Sequence, residues 1–126
     1  MKETVKHIDP SDEYYTREGC YIIELSNSED DPVLSIARAR VRPGITTRMH
    51  RLGRTFERYI ILEGKGRVEV GSLSREIGAD DVVLIPPMCP QRITNTGTDD
   101  LVFLAICTPR FSENAYEDID GERPSI

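Results

Sequence analysis

The densest run of chemically active side chains lies between residues 38 and 58. Seven arginines fall in this stretch and Glu57 is its only acid, although the whole chain carries a formal net charge of −6. Arginine holds carboxylate and phosphate groups through paired hydrogen bonds. The stretch therefore predicts an electropositive pocket mouth that attracts an anionic small-molecule ligand, with Arg48 as the clamp. The alternative is a solvated strand face paired with acids elsewhere in the chain. Candidate acids are Asp80, Asp81, Asp99 and Asp100.

The chain has three cysteines, Cys20, Cys89 and Cys107, each beside or within an apolar strand-like segment, which favours buried packing for at least two of them. Their odd number and wide spacing indicate free thiols rather than a disulfide framework or a structural zinc site. Cys89 is a nucleophile candidate if His50 lies beside it, because a reactive thiol needs a base in contact. The sequence shows no such contact, which favours the packed thiol.

The elements that position these groups are predicted to be β-strands almost throughout. Alternating or continuous apolar segments occupy residues 20–25, 33–41, 58–62, 67–70, 82–85, 91–95 and 101–107. Gly64 and Gly66 suit a hairpin turn. Residues 101–107 are apolar at every position, so we expect cover on both faces of that strand. Eight or so short strands without a long helical pattern predict a sandwich or barrel.

The chain of 126 residues is long enough for one domain. We expect an N-terminal arm at residues 1–18, a barrel at residues 19–108 and a tail at residues 109–126. Residues 113–120 are expected to form a short helix, a strapped-down tail or a flexible one. The negative net charge argues against non-specific nucleic-acid binding. No apolar run suits a membrane-spanning helix or a signal peptide, so no membrane partner and a cytoplasmic location are expected.

Five marker residues stand at a characteristic spacing. Five residues separate Gly44 from His50, four separate Leu52 from Glu57, and six separate Glu57 from Gly64. This arrangement resembles the first motif of the cupin family, except that Leu52 replaces the second histidine. A second cupin motif matches in the frame Asp80, Pro86, Met88, Gln91 and Asn95, where Pro86 and Asn95 agree as residue types. The resemblance covers residues 33–108.

The resemblance implies an all-β fold: a single-domain, cupin-type antiparallel β-barrel, also called a double-stranded β-helix or jelly roll. Many cupins hold a divalent metal with the two histidines and the glutamate of the first motif and the histidine of the second. Carried over position by position, these ligands are His50, Leu52, Glu57 and Gln91. Because leucine cannot bind a metal, His50, Glu57 and Gln91 remain as the candidate metal ligands.

One imidazole, one carboxylate and one amide suit a divalent transition metal such as Mn, Fe, Ni or Zn. An amide oxygen is a poorer donor than imidazole, so weaker binding than in a four-ligand cupin is expected. The alternative is that His50 and Glu57 only form hydrogen bonds inside the barrel. A lone buried carboxylate is costly, so Glu57 then needs a partner among His50, Gln91 and Arg48.

Side chains alternate along a strand, which predicts the remainder of the pocket. If His50, Glu57 and Gln91 face the interior, their alternate neighbours face it too. These neighbours are Thr46, Arg48, Leu52, Tyr59, Ile61, Cys89 and Ile93. The predicted pocket is apolar with a few polar groups, as small-molecule sites usually are. Arg48 and Tyr59 are the candidates for proton transfer and substrate orientation.

Two functions fit these observations. The first is a small metal-dependent enzyme of dioxygenase, isomerase or lyase type that acts on a polar or anionic metabolite; the retained His50 and Glu57 favour it. The second is a non-catalytic small-molecule-binding module, which Leu52 and Gln91 favour. A third is a structural dimer with an idle pocket. One fold hosts many activities, so the fold does not decide. Both main functions predict a homodimer, because residues 101–107 need cover on their outer face.

Overall fold

A computed structural model describes residues 1–121, which form two antiparallel sheets of a jelly roll. The strands in this part of the chain are β1 (Tyr14–Tyr15), β2 (Tyr21–Ser26), β3 (Ser35–Val41), β4 (His50–Leu52), β5 (Phe56–Glu63), β6 (Lys65–Val70), β7 (Leu73–Gly78), β8 (Val82–Ile85), β9 (Gln91–Asn95), β10 (Leu101–Thr108) and β11 (Tyr116–Asp118). The six-stranded sheet has the order β1-β2-β3-β10-β5-β8, and the five-stranded sheet has the order β11-β4-β9-β6-β7. The predicted all-β, antiparallel jelly roll is confirmed, although the sheets do not close into one continuous barrel.

Alternation along the strands decides which side chains enter the space between the sheets. In β5, Glu57, Tyr59 and Ile61 are buried while their neighbours are exposed or half-buried. In β9, Gln91 and Ile93 are buried in the same manner. The inner faces of the two sheets therefore meet in a core with mixed apolar and polar side chains.

Two glycines shape the connection between the sheets. Gly64 joins β5 to β6 with a φ of 91°, a conformation that residues with a Cβ rarely adopt. A Cβ on Gly66, which lies within β6, would stand 2.5 Å from the Thr94 carbonyl oxygen and 2.9 Å from Cδ2 of Leu101. The close approach of neighbouring chain segments at Gly66 thus requires a residue without a side chain.

Three strands lack a clear signal in the sequence. β7 is a polar, mostly exposed edge strand that pairs with β6, so it shows no apolar alternation. β1 and β11 are two and three residues long and pair with β2 and β4. A 3-10 turn at Glu113–Ala115 leads into β11, which agrees with the strapped-down alternative for the tail. Residues 122–126 of the predicted tail lie outside the described residues.

A row of apolar side chains crosses the outer face of the six-stranded sheet, beside Arg38 and Arg58 on the same face. Leu104 of β10 lies beside Ile60 of β5, and Ile60 lies beside Val82 of β8, which forms a row across three strands. Val82 is 58% exposed and its neighbour Leu84 is 70% exposed. The prediction of cover on both faces of β10 thus holds only for its inner face within the described chain. No helix in residues 1–121 has the length and apolar character to cross a membrane.

Candidate functional site

A cavity of about 340 Å³ is lined by side chains of both sheets. His50 and Leu52 of β4 and Ile93 of β9 line it from the five-stranded sheet. Glu57 and Tyr59 of β5 line it from the six-stranded sheet. Segments near both chain ends complete the wall. The residues they contribute are Tyr14, Thr16, Arg17, Glu18, Phe111, Glu113 and Tyr116.

Glu57 is a buried carboxyl group with two hydrogen-bond donors. The amide nitrogen of Gln91 donates to Oε1 at 2.8 Å, and the thiol of Cys107 donates to Oε2 at 3.6 Å. Burial raises the pKa of Glu57 to about 7, although the hydrogen bond from Gln91 opposes that increase. Near neutral pH the group therefore exists in both protonation states and is suited to transfer a proton.

Gln91 connects Glu57 to Tyr59. Its side-chain oxygen accepts a 2.6 Å hydrogen bond from the Tyr59 hydroxyl, while its nitrogen donates to Glu57. Burial, followed by the charge of Glu57, raises the pKa of Tyr59 well above its ordinary value, so the phenol keeps its proton. Both functional groups of the amide are thus engaged, and the orientation of Gln91 follows from its two neighbours.

His50 is oriented by the backbone. Its Nδ1 lies 2.9 Å from the carbonyl oxygen of Arg48. A carbonyl oxygen only accepts hydrogen bonds, so this contact assigns the proton of the neutral ring to Nδ1 and leaves Nε2 with a free lone pair. Tyr116 stacks on the ring at 5.1 Å between centroids. His50 is therefore held in the tautomer whose Nε2 can accept a proton.

Glu18 is a site residue that the sequence analysis missed. Its Oε2 lies 3.6 Å from Nδ1 of His50, and the group lines the cavity. Burial raises its pKa, and the neighbouring His50 opposes that increase. Glu18 lies in the polar segment before β2, next to Gly19, which has a φ of 98°. No apolar alternation surrounds it, so no sequence signal distinguishes it from the other acids of the arm.

The predicted alternation fails between Thr46 and His50, because residues 47–49 are not a regular strand. Thr47, not Thr46, lines the cavity, and its hydroxyl accepts a hydrogen bond from the Ile93 amide at 3.0 Å. The Thr46 hydroxyl instead lies 2.9 Å from that of Thr94. The prediction that Thr46 faces the pocket is therefore wrong.

The predictions for Arg48 and the electropositive mouth are also wrong. Arg48 points away from the cavity and donates to Asp118 at 2.6 Å. None of the seven arginines between residues 38 and 58 lines the cavity. Arg40 pairs with Glu13 and Asp100, and Arg51 pairs with Glu117. The alternative of a solvated face paired with acids describes Arg40, Arg48 and Arg51, although Asp100 is the one acid named for it that pairs with them among residues 1–121.

Cys89 also lies apart from the cavity. It is not a lining residue, its Sγ lies 3.8 Å from the Pro90 carbonyl oxygen, and it packs against the core. All three cysteines are free, and Cys20 and Cys107 are buried. The prediction that Cys89 lines the pocket is wrong, whereas Leu52, Tyr59 and Ile93 lie where alternation places them.

The three candidate metal ligands come together but do not form a suitable donor set. The Gln91 oxygen faces Tyr59 and its nitrogen faces Glu57, so the amide turns an N–H group, which cannot bind a metal, toward the carboxylate. Leu52 is apolar and lines the same wall. Within residues 1–121, no group of three or more His, Cys, Asp and Glu side chains is arranged to hold a metal ion. The residues therefore do not fit a resident divalent metal.

Tyr116 carries an unusual hydroxyl group. The oxygen is buried and has no hydrogen-bond partner among the residues that the structure describes. Removing it should cost no protein hydrogen bond, so we expect Tyr116→Phe to keep or slightly raise the free energy of unfolding. Tyr59→Phe should lower it by about 1–2 kcal/mol, because the Gln91 oxygen loses its donor.

Urea denaturation of both variants measures this difference. Equal losses of stability in the two variants would show that the Tyr116 hydroxyl has a partner after all.

Comparison with known proteins adds four similarities. A family model described as a cupin domain matches residues 37–107. An uncharacterized protein of Methanocaldococcus jannaschii is 32% identical over 119 residues, which cover 93% of this chain and 95% of that protein. A nucleoside dehydratase of Streptomyces has a TM-score of 0.77 at 16% identity, over 94% of this chain and 92% of that one.

The structure of KdgF from a Halomonas species has a TM-score of 0.75 at 16% identity, over 86% of this chain and 96% of that one. At such identities the two structural similarities show a shared fold, and any reaction has to be argued from the side chains of this cavity.

Proposed function

The chain belongs to the cupin domain family, and we propose that its cavity performs acid–base chemistry, of isomerase or lyase type, on a small molecule. The observation that carries this proposal is the pairing of two different proton-transfer groups in one cavity. His50 has a free Nε2, and Glu57 is a buried carboxyl group with a pKa of about 7. Two titratable groups in different environments are the usual basis for a division into base and acid.

The reaction follows from these roles. Nε2 of His50 accepts a proton from an acidic C–H or O–H group of the substrate, and protonated Glu57 donates a proton. If that proton goes to a leaving hydroxyl group, water departs and a lyase reaction results. If it goes to a neighbouring carbon or oxygen, the substrate is isomerised. Gln91 and Tyr59 act as positioning residues, because they hold the Glu57 carboxyl group through the chain of hydrogen bonds.

The similarity to a nucleoside dehydratase is compatible with this reaction class, since dehydration is a lyase reaction. The proposal uses no metal, because the donor set does not fit one. The binding-module hypothesis differs from it only in predicting no turnover.

A proton-exchange screen tests the proposal. Hydroxylated carbonyl compounds, sugars and nucleosides are incubated with the chelator-treated protein in deuterated water, and mass spectrometry follows deuterium uptake or loss of water. We expect at least one reactive compound, and a rate that His50→Gln lowers by about 100-fold or more, the usual size of acid–base catalysis. Arg51→Gln is the control, because Arg51 pairs with Glu117 outside the cavity.

Two results would contradict the proposal. Full activity of the His50→Gln variant would show that His50 is not the catalytic base. Chelation that abolishes the reaction, followed by its recovery on addition of Mn, Fe, Ni or Zn, would show that the protein is a metal-dependent enzyme. Absence of turnover for the whole screen would favour the binding module.

The apolar row on the outer face of the six-stranded sheet supports a second proposal, that the chain forms a homodimer through β10, β5 and β8. Val82 and Leu84 are among its most exposed apolar side chains, and contiguous exposed patches of this kind mark interaction sites. We expect a dimer by light scattering at micromolar concentration, and a monomer for Leu84→Glu. Val33→Glu, a change at an exposed position outside the strands, is the control. A monomeric parent protein would end this proposal.

A further inference from the structure

The charged groups that face the cavity are mostly acidic. Four carboxyl side chains line it, against a single guanidinium group, that of Arg17. The four acids are Glu18, Glu24, Glu57 and Glu113. A bound anion would therefore meet like charges at short range, which costs free energy in a partly buried site. A cation would meet complementary charges.

Aromatic rings form much of the remaining wall. They are Tyr14, Tyr59, Phe103, Phe111 and Tyr116. The faces of aromatic rings attract cations, and carboxylates beside them strengthen that attraction. The protein itself provides an example, because the guanidinium carbon of Arg17 lies 4.7 Å from the centroid of the Tyr116 ring.

The Arg17 side chain is only weakly held over the Tyr116 ring. Its side chain is 66% exposed, and its only ion pair in the described chain is a 3.8 Å contact with Glu113, which is 85% exposed. Exposed pairs of this kind contribute little to stability. A ligand cation that enters the cavity can therefore displace Arg17 from the ring at small cost.

The Tyr116 hydroxyl is an independent indication of a ligand. Its oxygen is closed to solvent and has no hydrogen-bond partner in residues 1–121, while Tyr116 is one of the residues that line the cavity. A buried polar group without a partner is costly, so a ligand that displaces Arg17 from this ring and brings an N–H group to the phenol oxygen would gain a hydrogen bond. An N–H donor with positive charge matches both this oxygen and the acidic wall.

We infer that the cavity binds a small organic cation with N–H donors, such as an amine or an amidine, and that Glu18 and the ring of Tyr116 are its recognition groups. This inference names the class of substrate for the proposed acid–base function. It rests on the proposed function only to the extent that both use the same cavity. It reverses the anionic ligand predicted from the arginine-rich stretch, because those arginines lie outside. The net charge of −6 also attracts cations from solution.

Three flat probes of nearly the same shape isolate the effect of charge. Benzamidinium is a cation, benzamide is neutral and benzoate is an anion. Their dissociation constants are measured by NMR titration at mildly alkaline pH and low salt. We expect benzamidinium to bind roughly tenfold or more tightly than benzoate, with benzamide between them.

The variant Glu18→Gln keeps the shape of the side chain and removes its charge. It should reduce the preference for benzamidinium over benzoate severalfold. Glu117→Gln removes a carboxylate that pairs with Arg51 outside the cavity and should leave the preference unchanged. This comparison separates the local effect of Glu18 from the effect of net charge.

Equal or tighter binding of benzoate would overturn the inference, and so would a preference that is insensitive to Glu18→Gln. Failure of benzamidinium to bind at millimolar concentration would also overturn it. The proton-exchange screen fails or succeeds separately, since binding of these inert probes requires no proton transfer. A preference for cations without any turnover would indicate that the protein is a non-catalytic module that binds cations.

Discussion

Glu57→Gln is expected to remove turnover and, at the same time, to stabilise the fold above neutral pH. The side chain keeps its shape, and its oxygen can still accept the hydrogen bond from Gln91. It can no longer donate a proton to a leaving group, so we expect a loss of about 100-fold or more in rate. A gain in stability together with a loss of function is the trade-off expected when a destabilising group belongs to an active site.

The direction of the stability change follows from the pKa of Glu57. Folding raises it from an ordinary 4.5 to about 7, because the buried carboxyl group resists ionisation. Between these values the unfolded chain has released the proton and the folded chain retains it. Stability therefore decreases as pH rises through this window, and the full penalty, about 3 kcal/mol as an upper limit, is reached above pH 7.

Glutamine does not titrate, so the variant should lose this part of the pH dependence. Urea unfolding at intervals across the window measures it. We expect equal stability near the lower end and a more stable variant above neutral pH. A variant that is less stable than the parent at high pH would show that the carboxylate is well compensated, and Glu57 would no longer be a suitable acid.

Gly66→Ala is expected to destabilise the fold by about 3 kcal/mol or more, a large part of the stability of a domain of this size. The new Cβ would stand 2.5 Å from the Thr94 carbonyl oxygen, a backbone atom, and 2.9 Å from Leu101. Because Gly66 pairs with Asn95 in the ladder of β6 and β9, any shift also disturbs these hydrogen bonds.

Gly78→Ala is the matched control. Gly78 also lies in a strand of the same sheet, but its nearest neighbour to an added Cβ is 3.9 Å away. We expect a change within about 0.5 kcal/mol for this variant. The urea midpoints of the two variants measure the difference in stability, provided that both unfold with the same m-value. Similar midpoints would mean that the chain at Gly66 can move aside.

The sequence predicts the regular parts of the site. Alternation along β5 correctly places Glu57 and Tyr59 inward, because both residues belong to one long strand with a buried face. It fails at Thr46 and Arg48, because three residues before His50 leave the strand and change which side chains face inward. The period of a strand carries information only while the backbone remains extended.

Other features depend on contacts between distant segments. Glu18 reaches His50 from the N-terminal arm, and Tyr116 reaches it through the pairing of β11 with β4. Neither segment has an apolar pattern from which its position in the fold could be predicted. The orientation of the Gln91 amide depends on its two neighbours, Tyr59 and Glu57, and is therefore set by the assembled site.

The cavity is divided between two kinds of structure. Its interior groups, among them His50, Glu57 and Tyr59, stand on strands that the rest of the fold holds in place, whereas Arg17, Glu18 and Tyr116 belong to short segments near the chain ends. Mutations in the end segments can change what enters the cavity while Glu57 keeps its place on β5, although changes at Glu18 and Tyr116 also reach His50. Ligand specificity can therefore change during evolution at little cost in stability, because the changes fall in short segments outside the main strands of the core.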